Sequence, residues 1–353
     1  MCMLMLVIAG PLTVNAEEND LRTEVSGQLD ALLEENGIGL SFDDAADITL
    51  EEIADGVISR INSGSLPFRR AAVSICMIIV LTVFLSAAAD IFSSACASLN
   101  SSVSVISSAA VIFPLLYDVY GQAIEAVRTS GNFITAFIPV FAGITAAEGN
   151  ITSAGVYDLM VIGAVELMIQ LSSALLIPVL NMVTILSVTG SIFRKTDISR
   201  LTGLLSKLAV WGLTASMTLF TGFFTLKCSL AGKADGAATK TVRFFISGSV
   251  PVVGGAVNDA YSAVRSSLDL IGGTAGTLGC IAVAVILLPP LLQIMFFRGG
   301  LWIINAFSEL LNAEAVGRLL RAVDSGLSIA QALLISYGVM FILSTGIIMK
   351  ISG

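Results

Sequence analysis

Long apolar runs, separated by short clusters of polar and charged residues, organise most of this chain. From Ala71 onward seven stretches read as membrane segments of roughly 20 mostly apolar residues: 71–89, 103–126, 132–147, 156–189, 201–226, 268–297 and 327–349. The third is short for a crossing and is placed to pair with its neighbour as a re-entrant hairpin. The fourth is too long for one perpendicular helix. Pro178 and Asn181 are positioned to divide it, or a tilt accommodates it. The pattern therefore predicts an all-α, polytopic membrane helical bundle with about seven spans, within a range of about five to eight.

The region before Ala71 has a different pattern. Met1–Ala16 is a short apolar run closed by Val14-Asn15-Ala16 and followed by Glu17-Glu18, which fits a signal peptide cleaved after Ala16. No Lys or Arg precedes the apolar run, so either the true start lies upstream of Met1, which is the expectation, or the signal is a weak one. Residues 17–68 read as a small acidic, extracytoplasmic helical module. Leu21, Val25, Leu29, Leu32 and Leu33 repeat at helical spacing. Thr49 and Glu52 form a capping box ahead of Ile53, Val57, Ile58 and Ile61. Residues 69–353 form the polytopic domain.

One stretch fits neither a plain span nor a soluble loop. Phe245–Val264, FISGSVPVVGGAVNDAYSAV, is apolar, yet it carries Gly248, Pro251, Gly254, Gly255, Asn258 and Asp259. Irregular backbone at membrane depth is tolerated only inside protein or along a cavity. A re-entrant or interfacial segment is the resulting expectation, with Asn258 and Asp259 toward water or a partner. Gly254 and Gly255 would permit a bend or a close helix contact.

Composition sharpens this picture. Of 353 residues 56% are hydrophobic and 12% charged, and the mean hydropathy of +0.92 is that of a protein solvated by lipid. The charge is segregated, with 13 acidic and two basic residues between Glu17 and Leu66 and a mildly basic remainder. No basic cluster interleaved with aromatics appears, so nucleic-acid binding has no support. Basic groups flank successive spans, and the positive-inside rule does not orient the bundle.

The candidate chemistry is sparse. The chain has no histidine, which removes the commonest general base and metal ligand. Cys2, Cys76, Cys96, Cys228 and Cys280 show no metal-binding spacing and read as small apolar residues. No paired carboxylates, phosphate loop or nucleophile–base pair can be assembled. The expectation is a non-enzymatic protein with no cofactor or metal. Asp118, Glu125, Asp158, Glu166, Asp259 and Asp269 lie in or beside apolar runs, where a charge suggests a polar pathway or a buried pair. Glu166, with Gln170 four residues on, is the deepest. Gly272-x-x-x-Gly276, with Gly273 and Gly279 alongside, is a helix-packing pattern.

Phe245–Val264, followed by the Gly-rich span and then LLPPLLQIMFFRGGLWIINAFSELL, resembles the stage III sporulation protein AE family. The resemblance extends to the signal, the acidic module and the polytopic body. It implies a component of the channel complex between mother cell and forespore, multi-pass in the mother-cell membrane. The partners it implies are the other stage III sporulation A-operon membrane proteins, their secretion-type ATPase and, across the gap, stage II sporulation protein Q. No catalytic residues are implied. Two alternatives stand beside it: a secondary transporter for a small solute, and a non-conducting membrane scaffold. A transporter would favour repeated halves with matching broken helices, and no convincing repeat is present.

Overall fold

The computed structural model describes residues 94–172, 198–249 and 254–352, together with positions within 23–34, 72–84 and 178–185. Five long helices carry the architecture: α1 (Ser94–Ala147), α2 (Ile151–Leu171), α3 (Ile198–Ser249), α4 (Gly254–Leu310) and α5 (Glu314–Ser352). All five are long and apolar enough to cross a membrane, and a shorter apolar helix, Ala72–Leu81, precedes them. No strand occurs among the described residues.

The helices alternate in direction. Phe141 of α1 meets Tyr157 of α2, and Thr152 of α2 meets Asp235 of α3. Gly276 of α4 faces both Phe141 and Met349 of α5. These pairings make an up-and-down bundle in which α5 is central, packed on the other four, while α3 is the least covered. Two turns reverse the chain by the same device. At Gly149 (φ 91°) the amide of Asn150 donates to Thr145 O and that of Gly149 to Ala146 O. At Asn312 (φ 56°) the amide of Ala313 donates to Ser308 O and that of Asn312 to Glu309 O. Both are Schellman closures, which need a residue able to adopt positive φ and satisfy the last carbonyls of the helix.

Charged residues mark two collars. Between Asp269 and Arg298, α4 is uncharged for about 44 Å, and between Asp324 and Lys350, α5 is uncharged for about 39 Å, at 1.5 Å per residue. Both lengths match a bilayer with its headgroup regions, about 40–45 Å. The start of α1, the end of α4 and the start of α5 continue beyond the collar that holds Arg298 and Asp324.

Several sequence expectations change. Segments 103–126 and 132–147 belong to one continuous helix, so the re-entrant hairpin is absent. The gap between the two expected segments, 127–131, continues the helix, and within it the Ser130 hydroxyl donates back to Ala126 O, satisfying itself within α1. Of the expected fourth segment, α2 takes in the part up to Leu171. Phe245–Val264 is helical on both sides, since α3 runs through Gly248 to Ser249 and α4 starts at Gly254, so Gly254, Gly255 and Asp259 are helical. An interior glycine lowers helix stability by about 1 kcal/mol without ending the helix. Pro251 lies outside the described residues, as do the signal peptide and the capping-box helix. Within the acidic module, positions 26–31 are helical and Leu29 and Leu33 are buried.

Candidate functional site

The core of the slab is an aromatic stack. Phe133, Phe137 and Phe141 recur at four-residue spacing on α1, so their rings lie one above another, with centroids 5.7 and 5.6 Å apart. Phe341 of α5 meets Phe137 edge-on at 5.9 Å. Tyr157 of α2 meets Phe141 at 5.4 Å and leads on to Phe224 of α3. Edge-to-face pairs are favourable beyond the area they bury. The one polar end in this stack is satisfied: the Tyr157 hydroxyl and Thr345 Oγ1 share a 3.1 Å hydrogen bond.

Glycines let the helices close on this stack. A Cβ at Gly279 would overlap the Phe137 ring, one at Gly276 would lie 2.6 Å from Met349 Sδ, and one at Gly272 would overlap the Glu148 carboxylate. Gly273 faces open space. The working face is therefore 272–276–279, turned toward α1 and α5. Gly131 of α1 plays the same part against Ile169 and Tyr337. Pattern reading singled out Gly272 and Gly276. Gly131 is isolated in sequence and gives no such signal.

A polar cluster closes one end of the slab. The α2 helix begins at Asn150 without a side-chain cap of its own. Asp235 of α3 supplies it, its two carboxylate oxygens accepting the amides of Thr152 (2.9 Å) and Ser153 (2.8 Å). These are the second and third positions of the helix, where a cap normally acts, and a negative charge there also suits the helix dipole. Asn150 Oδ1 instead accepts from Arg265 Nη2, and Arg265 Nη1 donates to Thr239. Glu148 is buried beside Gly272. Asp235 escaped the sequence reading. Its signal was being the one acid among Lys227, Lys233, Lys240 and Arg243.

At the other end, Arg298 Nε donates to Asp324 at 2.7 Å and Nη1 donates to Gln331. Beyond them Arg321 pairs with Glu309 at 2.7 Å beside the α4–α5 turn. Charges bounding two adjacent apolar runs were the available signal for Arg298 and Asp324. Glu166 and Gln170 come together, Gln170 Nε2 donating to Glu166 Oε1 at 2.9 Å, but on the exposed outer face of α2. Gly248, Gly254, Gly255 and Asp259 are placed by their backbone, at the end of α3 and the start of α4. No group of metal-binding side chains occurs among the described residues. Cys76, Cys228 and Cys280 are free, with Cys228 fully buried.

Residues 39–352 match the family model described as stage III sporulation protein AE. The chain is 25% identical over 226 residues to a protein of Bacillus subtilis (strain 168) named stage III sporulation protein AE. The match takes in 64% of this chain and 57% of that protein's length. No solved structure matches.

Proposed function

Because the chain belongs to the stage III sporulation protein AE family, we propose that it is a multi-pass membrane subunit of the channel complex serving the forespore, seated in the mother-cell membrane with its acidic module outside the cytoplasm. The observation that carries the reading is the pairing of this membership with five helices long and apolar enough to span a membrane. Its partners in this reading are the other stage III sporulation A-operon membrane proteins and their secretion-type ATPase, with stage II sporulation protein Q reached across the intermembrane space.

The packed interior favours a particular form of this role. Phe133, Phe137, Phe141, Tyr157, Phe224 and Phe341 fill the middle of the bundle, all of them buried. A conduit through one chain would have to displace them, so in this reading the conduit runs between subunits. A charged residue on the outer face of a spanning helix needs a polar neighbour, because exposure to lipid is costly. Glu166, with Gln170, supplies the contact to another subunit or to the conduit.

The test is Glu166→Leu/Gln170→Leu. The variant is expected to insert and fold as the parent does, yet to lose sporulation efficiency and co-purification with the other operon proteins. Normal sporulation and normal co-purification would assign the pair to lipid and remove α2 from the assembly surface. Loss of both marks the pair as a contact between subunits of the complex, whereas normal co-purification with lost sporulation places it on the conduit.

A further inference from the structure

The seam between α3 and α5 opens outward as two adjoining depressions. At the Arg298–Asp324 collar lies a hollow of about 500 Å³, lined by Ser206, Lys207, Trp211, Arg298, Ser328 and Gln331. Toward the middle of the slab it is followed by a groove of about 850 Å³, lined by Thr214, Thr218, Gly222, Val339 and Leu343 among others. Ile335 lines both, so the two lie end to end along the bundle surface.

We propose that this pair of depressions is a site for an anionic phospholipid, its phosphate against Lys207 and Arg298 and one acyl chain laid along Thr214 to Leu343. The lining of the hollow holds two cations and no carboxylate; Asp324, 2.7 Å from Arg298, offsets one of them, so Lys207 carries the net positive charge that fits an anionic headgroup. Lys207 has no ion-pair or hydrogen-bond partner among the described residues. Arg298 spends Nε and Nη2 on Asp324 and Nη1 on Gln331, leaving further N–H donors. A basic hollow between spanning helices at headgroup depth is the form that recognises acidic lipid headgroups. Trp211, 70% exposed beside the hollow, has the amphipathic ring that settles at this level of a bilayer.

The groove suits a hydrocarbon chain. Its threonines look polar in sequence, but three of the four, Thr214, Thr218 and Thr225, donate to Val210 O, Thr214 O and Thr221 O on their own helix. Their hydroxyl hydrogens are thereby spent within α3. From Thr214 to Thr225 the groove runs about 17 Å, close to the depth of one leaflet of a hydrocarbon core about 30 Å thick. Polar and apolar parts are thus stacked in the order a lipid presents them.

Native mass spectrometry of the full chain, purified in detergent and titrated with phosphatidylglycerol or phosphatidylethanolamine, tests the assignment. One phosphatidylglycerol is expected to bind saturably per chain, in preference to phosphatidylethanolamine, with inorganic phosphate failing to compete. Lys207→Gln is expected to weaken it about fivefold, the worth of one lysine near an anionic headgroup, while Lys207→Arg retains it. Val339→Trp, which fills the groove, is expected to weaken long-chain phosphatidylglycerol and spare a short-chain analogue. Thermal unfolding confirms that each variant is folded, and the lipid selectivity of the unmodified chain tests the proposal without any variant. Equal binding of the two lipids, or unchanged binding by folded Lys207→Gln, overturns it. So does a Val339→Cys chain that cross-links in membranes to another polypeptide, which would assign the groove to a protein helix.

Discussion

Gly273 and Gly279 lie in one glycine-rich stretch of α4, yet alanine should act on them in opposite directions. At Gly279 an added Cβ would come within 2.8 Å of two Phe137 ring carbons and closer still to a third. That ring cannot swing aside, because Phe133 and Phe141 stack on either side of it and Phe341 meets it edge-on. Overpacking of this kind costs about 1–3 kcal/mol. At Gly273 nothing lies within 4 Å of the new Cβ, so alanine brings only its better helix propensity, about 1 kcal/mol. The propensity gain is common to both sites and cancels in the comparison. Gly273→Ala should therefore exceed Gly279→Ala in stability by about 1–3 kcal/mol. Chemical unfolding of the purified chain in detergent, followed by circular dichroism, measures the difference. The cycle with Phe137→Leu isolates the contact and should show a coupling of about 0.5–3 kcal/mol. Equal stability of the two alanine variants, or additivity with Phe137→Leu, would refute the packing face assigned to α4.

Two further outcomes follow from the polar contacts. Asp235→Ala, which strips both acceptors from the start of α2, should cost about 0.5–2 kcal/mol, the usual worth of an N-cap. Asp235→Asn keeps one acceptor oxygen and should fall between, with thermal unfolding as the measurement. Thr345→Val, which leaves the buried Tyr157 hydroxyl without its partner, should cost about 1–3 kcal/mol. Adding Tyr157→Phe should recover most of that loss. If the double variant is no more stable than Thr345→Val alone, the hydrogen bond is not what holds the two helices there.

Legibility followed the range of each interaction. The apolar runs 201–226, 268–297 and 327–349 fall within α3, α4 and α5, because burial in lipid selects composition locally. They did not give the helix ends. Hydropathy records where a helix meets lipid, and α1 and α4 continue well past that point. The gap at 127–131 between two apolar runs does not interrupt α1, since polarity is not irregularity and Ser130 bonds within its own helix. Gly272-x-x-x-Gly276 was visible as a spacing, and the structure sets both residues against side chains of neighbouring helices. The cap on α2 was not visible, because Asp235 lies more than 80 residues from the amides it serves. Glu166 and Gln170 were readable as a pair on one helical face, but one chain's pattern does not say whether that face turns inward or outward.

The central position of α5 has a consequence for how the protein is made. Phe137, Tyr157 and Ser206 each find a partner on α5, at Phe341, Thr345 and Ser328. Yet α5 leaves the ribosome after the other four helices. At about 5–20 residues per second, roughly 10–40 s separate the end of α1 from the end of α5. All four earlier helices coexist without α5 only for the last roughly 2–8 s of that interval, and until α5 arrives the Tyr157 hydroxyl lacks its Thr345 partner. Completion of the bundle therefore waits on the last helix made, and the four-helix nascent chain is an intermediate in which Phe137, Tyr157 and Ser206 still lack their α5 partners.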